Sequence, residues 1–386
     1  MKEDLKKPFT SLYIFSFIFS IQYALAIYIV SSFLEERLGK EMLGIIFAIA
    51  SIITILCLLE MPRLLNKIGN YRSAVILILV NIASLLWLGL SANKTAAIIA
   101  FFLYSISNYA LVFSRDIFIE SYSENGSIGK TRGVFLTIIN LGWIFAPLIT
   151  GLVVTNTSFS GAFMLSAVVM IPALFLIYPK FKIFKDPAYK KIAIADTLKK
   201  IIQDSNIRKI FQSELLLRFF YAWMVIYTPI YLHQTIGFNW EQIGLIFTIM
   251  LIPFVLLDYP LGKYSDKIGE KKMLALGFII LGISTFSIFF ISSKSVLLWA
   301  FVLFMTRVGA ATIEAMNEIY FFKKIKPADS GLVSFFRNSA PLSLIIAPMV
   351  ATAILGFAPD KYLFLILGII LISGGLWSVL RLKEIR

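Results

Sequence analysis

The sequence predicts an all-α integral membrane protein whose twelve transmembrane helices form two six-helix bundles. Of the 386 residues, 59% are hydrophobic and only 15% are charged, which is more apolar surface than a water-surrounded core can bury. Apolar runs of about 20 residues, the length that crosses a bilayer as a helix, recur throughout the chain. Short polar motifs repeat about 200 positions apart, which indicates a duplicated half.

The apolar runs are much longer than the ~10 residues of a barrel strand, so we expect helices that satisfy their own backbone hydrogen bonds. A polar segment, 179–208, separates an N-terminal bundle, 1–178, from a C-terminal bundle, 209–386. Apolar residues at helical spacing in this segment predict a short amphipathic helix at the membrane surface, and a solvated linker is the alternative. The predicted spans are 10–33, 42–61, 72–91, 94–114, 133–155, 160–178, 209–232, 241–261, 272–292, 295–320, 332–356 and 361–380.

The positive charge is distributed as an orientation signal. The net charge is +14, and 29 of the 36 lysines and arginines fall in alternate connecting segments and the two termini. This positive-inside pattern predicts that both termini are cytoplasmic and that the protein lies in the cell (inner or plasma) membrane. Because the charge is spread over every inner loop and not gathered on one face, we expect no nucleic acid partner.

The composition also bounds the chemistry. One cysteine, Cys57, excludes an internal disulfide, and one histidine, His233, excludes a multi-histidine metal site within one chain. Neither a phosphate-binding Gly-x4-Gly-Lys-Ser/Thr loop nor a Ser/His constellation occurs. We therefore expect neither an enzyme nor a metal or cofactor, and no ATP drive by this chain.

Two basic hairpins occupy equivalent places in the two halves. Both contain Lys-Ile-Gly, at Lys67–Gly69 and Lys267–Gly269, and both lie between long apolar runs. We predict that they form the inner gate of each half. The gate residues are Asn66, Lys67, Gly69, Arg72, Gly262, Asp266, Lys267, Gly269 and Lys272.

These hairpins carry a resemblance to the major facilitator superfamily. The loop between helices 2 and 3 of that family reads Gly-x-x-x-Asp-Arg/Lys-x-Gly-Arg/Lys-Arg/Lys, and the second copy matches it from Gly262 through Asp266 to Lys272. The resemblance implies that Asp266 takes part in a latch between the halves. In the first copy Asn66 replaces the aspartate, which predicts a neutral latch there.

A second resemblance lies in the fifth predicted helix. Its small residues and proline are spaced as in the antiporter motif of twelve-helix drug:proton antiporters, at Gly133, Gly142, Ala146, Pro147 and Gly151. Small residues let helices approach closely, and a proline can kink a helix. The resemblance implies a monomeric transporter working by alternating access, with proton-coupled efflux of a hydrophobic or amphipathic small molecule. Uptake of a sugar, nucleoside, peptide-like nutrient or lipid is the alternative, and a non-transporting receptor on the same scaffold is another.

Charged residues at membrane depth are costly and indicate function. Arg307 lies within the tenth predicted helix, with Glu314 seven residues on, and Arg218 lies within the seventh. A proton-coupling role for Glu314 and Arg307, and a structural Arg–Glu pair between these two helices, both fit the spacing. Asp116, at the inner end of helix 4, is a further coupling or gate candidate.

The resemblance also implies a cavity lined from helices 1, 4, 5, 7, 8, 10 and 11, and polar and aromatic residues of these spans are candidates for substrate contact. As a set they favour an aromatic cavity with few fixed charges. They are Tyr23, Tyr28, Asn108, Asn140, Trp143, Arg218, Tyr221, Tyr227 and Asn338.

Overall fold

The computed structural model describes residues 9–122, 128–189, 194–324 and 330–383, and every regular element in those ranges is helical. The α-helices are α1 Phe9–Leu38, α2 Lys40–Ile68, α3 Asn70–Leu90, α4 Lys94–Tyr122, α5 Ile128–Asn156, α6 Phe159–Phe181, α7 Ile194–Gln203, α8 Ser205–Ile230, α9 Trp240–Ile268, α10 Glu270–Ser287, α11 Val296–Lys324, α12 Ser330–Arg337, α13 Ser339–Leu355 and α14 Tyr362–Leu380. A π-helical turn, Tyr231–Thr235, follows α8, and a 3-10 turn, Ile288–Phe290, follows α10.

These helices confirm the predicted fold class. Within the described ranges, 11 helical segments are long and apolar enough to cross a membrane, and α13 is a shorter apolar helix. The ten-residue α7 occupies the polar segment between the two halves. The protein is therefore a multi-pass membrane protein.

The single span predicted over 332–356 is wrong, because the structure divides it at Asn338. That residue has φ −80° and ψ 1° and separates α12 from α13. Pro341 gives the physical reason, since a proline ring collides with the carbonyl group four residues earlier, here that of Arg337. The proline is tolerated in the first turn of α13, where its missing N–H is not needed.

The two basic hairpins are single-glycine turns between continuous helices. α2 runs past its predicted end to Ile68, and Gly69 alone joins it to α3 with φ 82°. In the second half, Gly269 alone joins α9 to α10 with φ 87°. Because positive φ values favour glycine, the repeated Lys-Ile-Gly marks a helix end in both places.

The chain divides into two compact units, the first of which comprises 1–29 and 53–191. An apolar cluster of this unit joins α1, α3, α4, α5 and α6. Phe15 of α1, Ile78 of α3, Phe118 of α4 and Met170 of α6 are among its fully buried members. These side chains come from the apolar runs that predict the spans, and burying them stabilises each by about 1.5–3 kcal/mol relative to exposure in water.

The second compact unit comprises 30–52 and 192–386. It therefore includes the end of α1 and the start of α2. Gly44 of α2 lies so close to α13 that a Cβ atom there would stand 2.6 Å from the carbonyl oxygen of Pro348. Lys40 forms an ion pair of 2.6 Å with Asp360, in the segment between α13 and α14.

Glycines also set the contact between α10 and α11 in the second unit. A Cβ atom on Gly309 would lie 2.5 Å from the backbone nitrogen of Leu281 and 2.8 Å from the carbonyl oxygen of Gly277. Membrane helices associate through packing of this kind, in which small residues let two backbones approach.

Replacing Gly309 by alanine is expected to lower the free energy of unfolding by about 1–3 kcal/mol, because α10 and α11 must move apart. Gly374→Ala is the matched control, since its Cβ would meet only the flexible side chain of Leu216, at 3.3 Å. Denaturant titration of both variants in mild detergent measures the difference. Equal losses would show that backbone contact at Gly309 does not limit packing.

Candidate functional site

An ion-pair network lies inside the second unit, between α8 and α11. Arg218 donates from Nε to Oε1 of Glu214, one turn earlier on α8, at 2.6 Å. Its Nη2 atom lies 3.0 Å from Oε1 of Glu314 on α11. The Glu214 side chain is only 1% exposed, whereas that of Glu314 is 33% exposed. One guanidinium group thus holds two carboxylates that differ in accessibility.

Neutral side chains complete this network. Asn317 donates from Nδ2 to Oε2 of Glu214 at 3.0 Å, and Ser213 donates from Oγ to Oδ1 of Asn317 at 2.7 Å. On the other side, Tyr221 donates from Oη to Oε2 of Glu314 at 3.0 Å. A buried charge is tolerated only when it is paired and hydrogen-bonded, and both carboxylates meet this condition.

Arg307 lies beside the network, packed against aromatic rings. Its guanidinium carbon is 5.0 Å from the ring centre of Phe220 and 5.8 Å from that of Tyr221. The residue is 2% exposed. Cation–π contacts of this kind are strongest where water is excluded. The structure therefore places Arg218 next to Glu314, and Arg307 against the rings of Phe220 and Tyr221.

Three of the predicted cavity residues meet in the first unit. The ring of Trp143, on α5, makes edge contacts with Tyr23 and Tyr28 of α1, at centroid distances of 5.4 Å and 6.2 Å. Phe19 stacks on Tyr23 at 6.2 Å. Asn140 lies one turn before Trp143 on α5. The arrangement is an aromatic cluster with a polar neighbour on the same helix face.

Gln22, beside this cluster on α1, is a buried amide. The residue is 0% exposed, and neither its Oε1 nor its Nε2 has a hydrogen-bond partner within the described part of the chain. A buried polar group left unpaired costs about 1–3 kcal/mol. A water molecule or a polar ligand would satisfy it.

Arg115 is a buried charge just beyond the predicted span 94–114. α4 continues to Tyr122, so Arg115 lies within the helix and is 7% exposed. Its guanidinium carbon is 4.8 Å from the ring centre of Phe135 and 5.4 Å from that of Phe19. Asp116, the predicted coupling candidate, is 3.9 Å from Arg115 and more exposed. In the sequence, the apolar residues that continue to Ile119 indicate that α4 extends beyond residue 114.

The motif of the fifth helix forms the contact between α5 and α1. A Cβ atom on Gly142 would lie 2.1 Å from Oγ of Ser20. Ala146 is buried with Ala24 and Leu25, and Thr150 donates from Oγ1 to the carbonyl oxygen of Leu25 at 2.9 Å. Pro147 lies inside α5. Close helix packing is thus the visible role of this motif.

Three further predicted cavity residues, two in the second unit and one in the first, bond to a helix backbone or lie between two helices. Tyr227 donates from Oη to the carbonyl oxygen of Pro348 at 3.0 Å, which joins α8 to α13. Asn338 is the residue between α12 and α13. In the first unit, Asn108 donates from Nδ2 to the carbonyl oxygen of Tyr104, on its own helix, at 2.8 Å.

The structure describes the side chains of only some of the hairpin residues in the second half. Lys267 and Lys272 are exposed next to Gly269. The backbones of Gly262 and Asp266 belong to α9, but the Asp266 side chain, and with it the predicted latch, lies outside the described residues. The same holds for the surroundings of Gly133 in α5.

At the first hairpin, a carboxylate comes from a distant part of the sequence. Asp186 accepts the backbone N–H of Asn70, the first residue of α3, at 2.7 Å. Tyr189 donates from Oη to the same oxygen at 2.5 Å, and Asn66 donates from Nδ2 to the carbonyl oxygen of Tyr189 at 3.0 Å. Burial, the hydrogen bond to Asp186 and the charge of that carboxylate raise the pKa of Tyr189, so the hydroxyl stays protonated. Asp186 thus caps α3 from outside, where Gly69 has no side chain to do so.

Replacing Asp186 by alanine is expected to lower the free energy of unfolding by about 1–2 kcal/mol, through loss of the cap and of a negative charge at a helix N-terminus. Denaturant titration in mild detergent measures this effect. The control is Asp196→Ala, which removes a negative charge from the first turn of α7 but no cap, and it should cost about 0.5 kcal/mol. A loss as small in Asp186→Ala would show that the carboxylate does not stabilise α3.

A family model described as Major Facilitator Superfamily matches residues 12–241 and 215–385. No curated protein matches the chain. Among solved structures, the nucleoside transporter NupG is 12% identical, with a TM-score of 0.76 over 97% of this chain and 100% of that chain.

Two peptide transporters are similar in the same way. An auto-inhibited member of the POT family is 12% identical, with a TM-score of 0.79 over 98% of both chains. The peptide transporter POT in complex with sulfate is 14% identical, with a TM-score of 0.76 over 97% of this chain and 94% of that chain. At such identities the likeness shows the fold alone, but the family model covers nearly the whole sequence. The chain belongs to the Major Facilitator Superfamily, and it is a membrane transporter and not an enzyme.

Proposed function

We propose that this transporter couples the movement of a small organic solute to the movement of protons, in a cell membrane with both chain termini on the cytoplasmic side. The observation that carries the proposal is the Glu214–Arg218–Glu314 network at membrane depth. An ionisable group inside a membrane span marks a transport pathway more often than a structural feature.

Glu314 is the proton-carrying group of this proposal. Of the two carboxylates on Arg218, it is the accessible one, and its Oε2 atom is held by a single neutral hydroxyl, that of Tyr221. A proton on Glu314 removes the charge that faces Arg218, while Glu214 remains to balance the guanidinium. Arg218 is then available to an acceptor group of the solute. Binding of proton and solute thereby influence each other, as coupled transport requires.

The solute that we propose is polar and hydrogen-bonding. The network in the second unit supplies polar partners, namely the guanidinium of Arg218 and the carboxyl group of Glu314. A purely hydrophobic compound would leave them unsatisfied. Nucleoside-like and peptide-like molecules have the required groups, and the similar solved structures include transporters named for both.

Proton-coupled efflux of an amphipathic compound is the second candidate. The aromatic cluster of Tyr23, Tyr28 and Trp143 favours it, because such rings bind flat apolar or cationic groups. The antiporter-like spacing in α5 favours it as well.

Purified protein in vesicles that enclose a pH-sensitive dye tests the proposal. Uridine, a dipeptide and a lipophilic cation are added one at a time, with and without an imposed pH gradient. Proton movement that depends on uridine or the dipeptide supports the first candidate, and movement that depends on the cation supports the second. Solute flux that is unaffected by the gradient would contradict proton coupling.

A further inference from the structure

A basic cavity lies at the end of the second unit that carries α7 and the C-terminal residues. Its volume is about 670 Å³, and its walls come from α7, the start of α8, the end of α11, α12 and the residues after α14. Five cationic side chains and one carboxylate line it: Lys200, Lys209, Lys324, Arg381, Lys383 and Asp204. The cavity is open to its surroundings, so a ligand bound in it would stay partly exposed.

The walls are held in place by bonds between distant segments. The backbone N–H of Lys383 donates to Oδ1 of Asn206 at 3.2 Å, and its carbonyl oxygen accepts from Oη of Tyr320 at 2.7 Å. Lys209 donates from Nζ to the carbonyl oxygen of Arg381 at 2.6 Å. Residues 381–383 are thus fixed against α8 and α11, and this contact brings the cations together.

The carboxylate in the cavity is already engaged. Asp204 caps α8, accepting the N–H groups of Asn206 at 2.8 Å and Ile207 at 3.1 Å, and it lies 3.5 Å from Nζ of Lys324. Partial burial opposes its ionisation, but the amides of Ile207 and Asn206 and the charge of Lys324 prevail and lower the pKa of Asp204. It is therefore ionised at neutral pH, and the cavity still carries a large excess of positive charge.

The neighbouring helix α7 places this cavity at the membrane surface. Its apolar residues Ile194, Leu198 and Ile202 recur at helical spacing and are exposed. Helices with an exposed apolar face and lysines beside it lie in the headgroup region of a bilayer. Basic clusters at that level attract phosphate-bearing anions.

We propose that this cavity is a binding site for a phosphate-bearing anion, either the headgroup of an anionic phospholipid or a soluble phosphate. Lysine and arginine side chains form charge-assisted hydrogen bonds to phosphate oxygens. An anion in the cavity relieves the repulsion among the five cations. It also bridges α7, α8, α11 and residues 381–383. Because the anion binds the folded protein and not the unfolded chain, it raises the free energy of unfolding.

Thermal unfolding of the full chain in uncharged detergent tests this site. The probes are short-chain phosphatidylglycerol, short-chain phosphatidylcholine and inorganic phosphate, each titrated at near-physiological ionic strength. We expect phosphatidylglycerol to raise the unfolding midpoint and phosphatidylcholine to leave it unchanged. An equal rise with inorganic phosphate would identify a soluble phosphate as the source, and a rise with phosphatidylglycerol alone would identify the lipid.

The double variant Arg381→Gln/Lys383→Gln removes two charges but keeps the backbone groups that hold residues 381–383 against α8 and α11. Each cation near an anionic lipid contributes about fivefold in affinity, so the apparent Kd should rise about 25-fold. Lys199→Gln, next to Lys200 on α7 but outside the cavity lining, should leave it unchanged. An unfolding midpoint equal to wild type without ligand shows that the variants fold. The proposal is overturned if neither anion shifts the midpoint, if both lipids shift it equally, or if the double variant keeps the wild-type affinity.

Discussion

Replacing Arg218 by glutamine is expected to lower the free energy of unfolding by about 3–5 kcal/mol, one of the largest effects of any single substitution in this protein. The reason is that Glu214, 1% exposed, would keep its charge without the guanidinium that now lies 2.6 Å away. Asn317 would be its remaining hydrogen-bond partner in the network described above. Denaturant titration in mild detergent measures the loss.

Two further variants make the result specific. The double variant Glu214→Gln/Arg218→Gln leaves only the partly exposed Glu314 without the guanidinium, and it should regain much of the lost stability, since replacing both partners of a buried pair is often nearly neutral. Lys40→Gln breaks a more exposed pair, with Asp360, and should cost about 1 kcal/mol or less. If the double variant is no more stable than Arg218→Gln, the pairing with Glu214 does not explain the loss.

Replacing Glu314 by glutamine is expected to abolish accumulation of solute driven by a pH gradient, down to the level of vesicles without protein. Glutamine has nearly the same shape, and its amide oxygen can still accept from Tyr221. However, it permanently lacks the charge that faces Arg218 at 3.0 Å, so it resembles the protonated state. Solute exchange without a pH gradient needs no change in protonation and should continue.

Two transport measurements separate these effects in one vesicle preparation. Accumulation under an imposed gradient and counterflow at equal pH are compared for wild type and Glu314→Gln, with the solute that moves protons in the wild type. Glu318→Gln, one turn further along α11, is the control and should keep both activities. If Glu314→Gln retained gradient-driven accumulation, Glu314 would be a structural partner of Arg218 only. A loss of both activities would point to a failure of solute binding.

The helices could be predicted from the sequence because their signal is local. An apolar run long enough for a bilayer identifies each span, and the Lys-Ile-Gly repeats identify both turns at Gly69 and Gly269. The division at Asn338 was missed because the run 332–356 is uniformly apolar apart from a few polar residues. The polar residues Arg337, Asn338 and Ser339 and the following Pro341 mark the break, but prolines are also common inside membrane helices.

Contacts between distant segments could not be predicted from the sequence. The cap that Asp186 places on α3 joins residues 116 positions apart, and the pattern around Asn66 indicated only that a charge was missing. Likewise, the run of charges in the seventh and tenth predicted helices indicated a site, but not that Arg218, rather than Arg307, faces Glu314. Which of several side chains meet depends on helix rotation, which apolar runs do not define.

The ion pair between Lys40 and Asp360 has a consequence for how the chain is made. The two residues are 320 positions apart, and at about 5–20 residues per second a ribosome needs roughly 16–64 s to synthesise the intervening chain. During that time the start of α2 is in the membrane without α13, against which Gly44 later packs. The nascent protein therefore carries an incomplete helix surface until its last spans are inserted, and loss of those spans would leave that surface open to membrane chaperones and proteases.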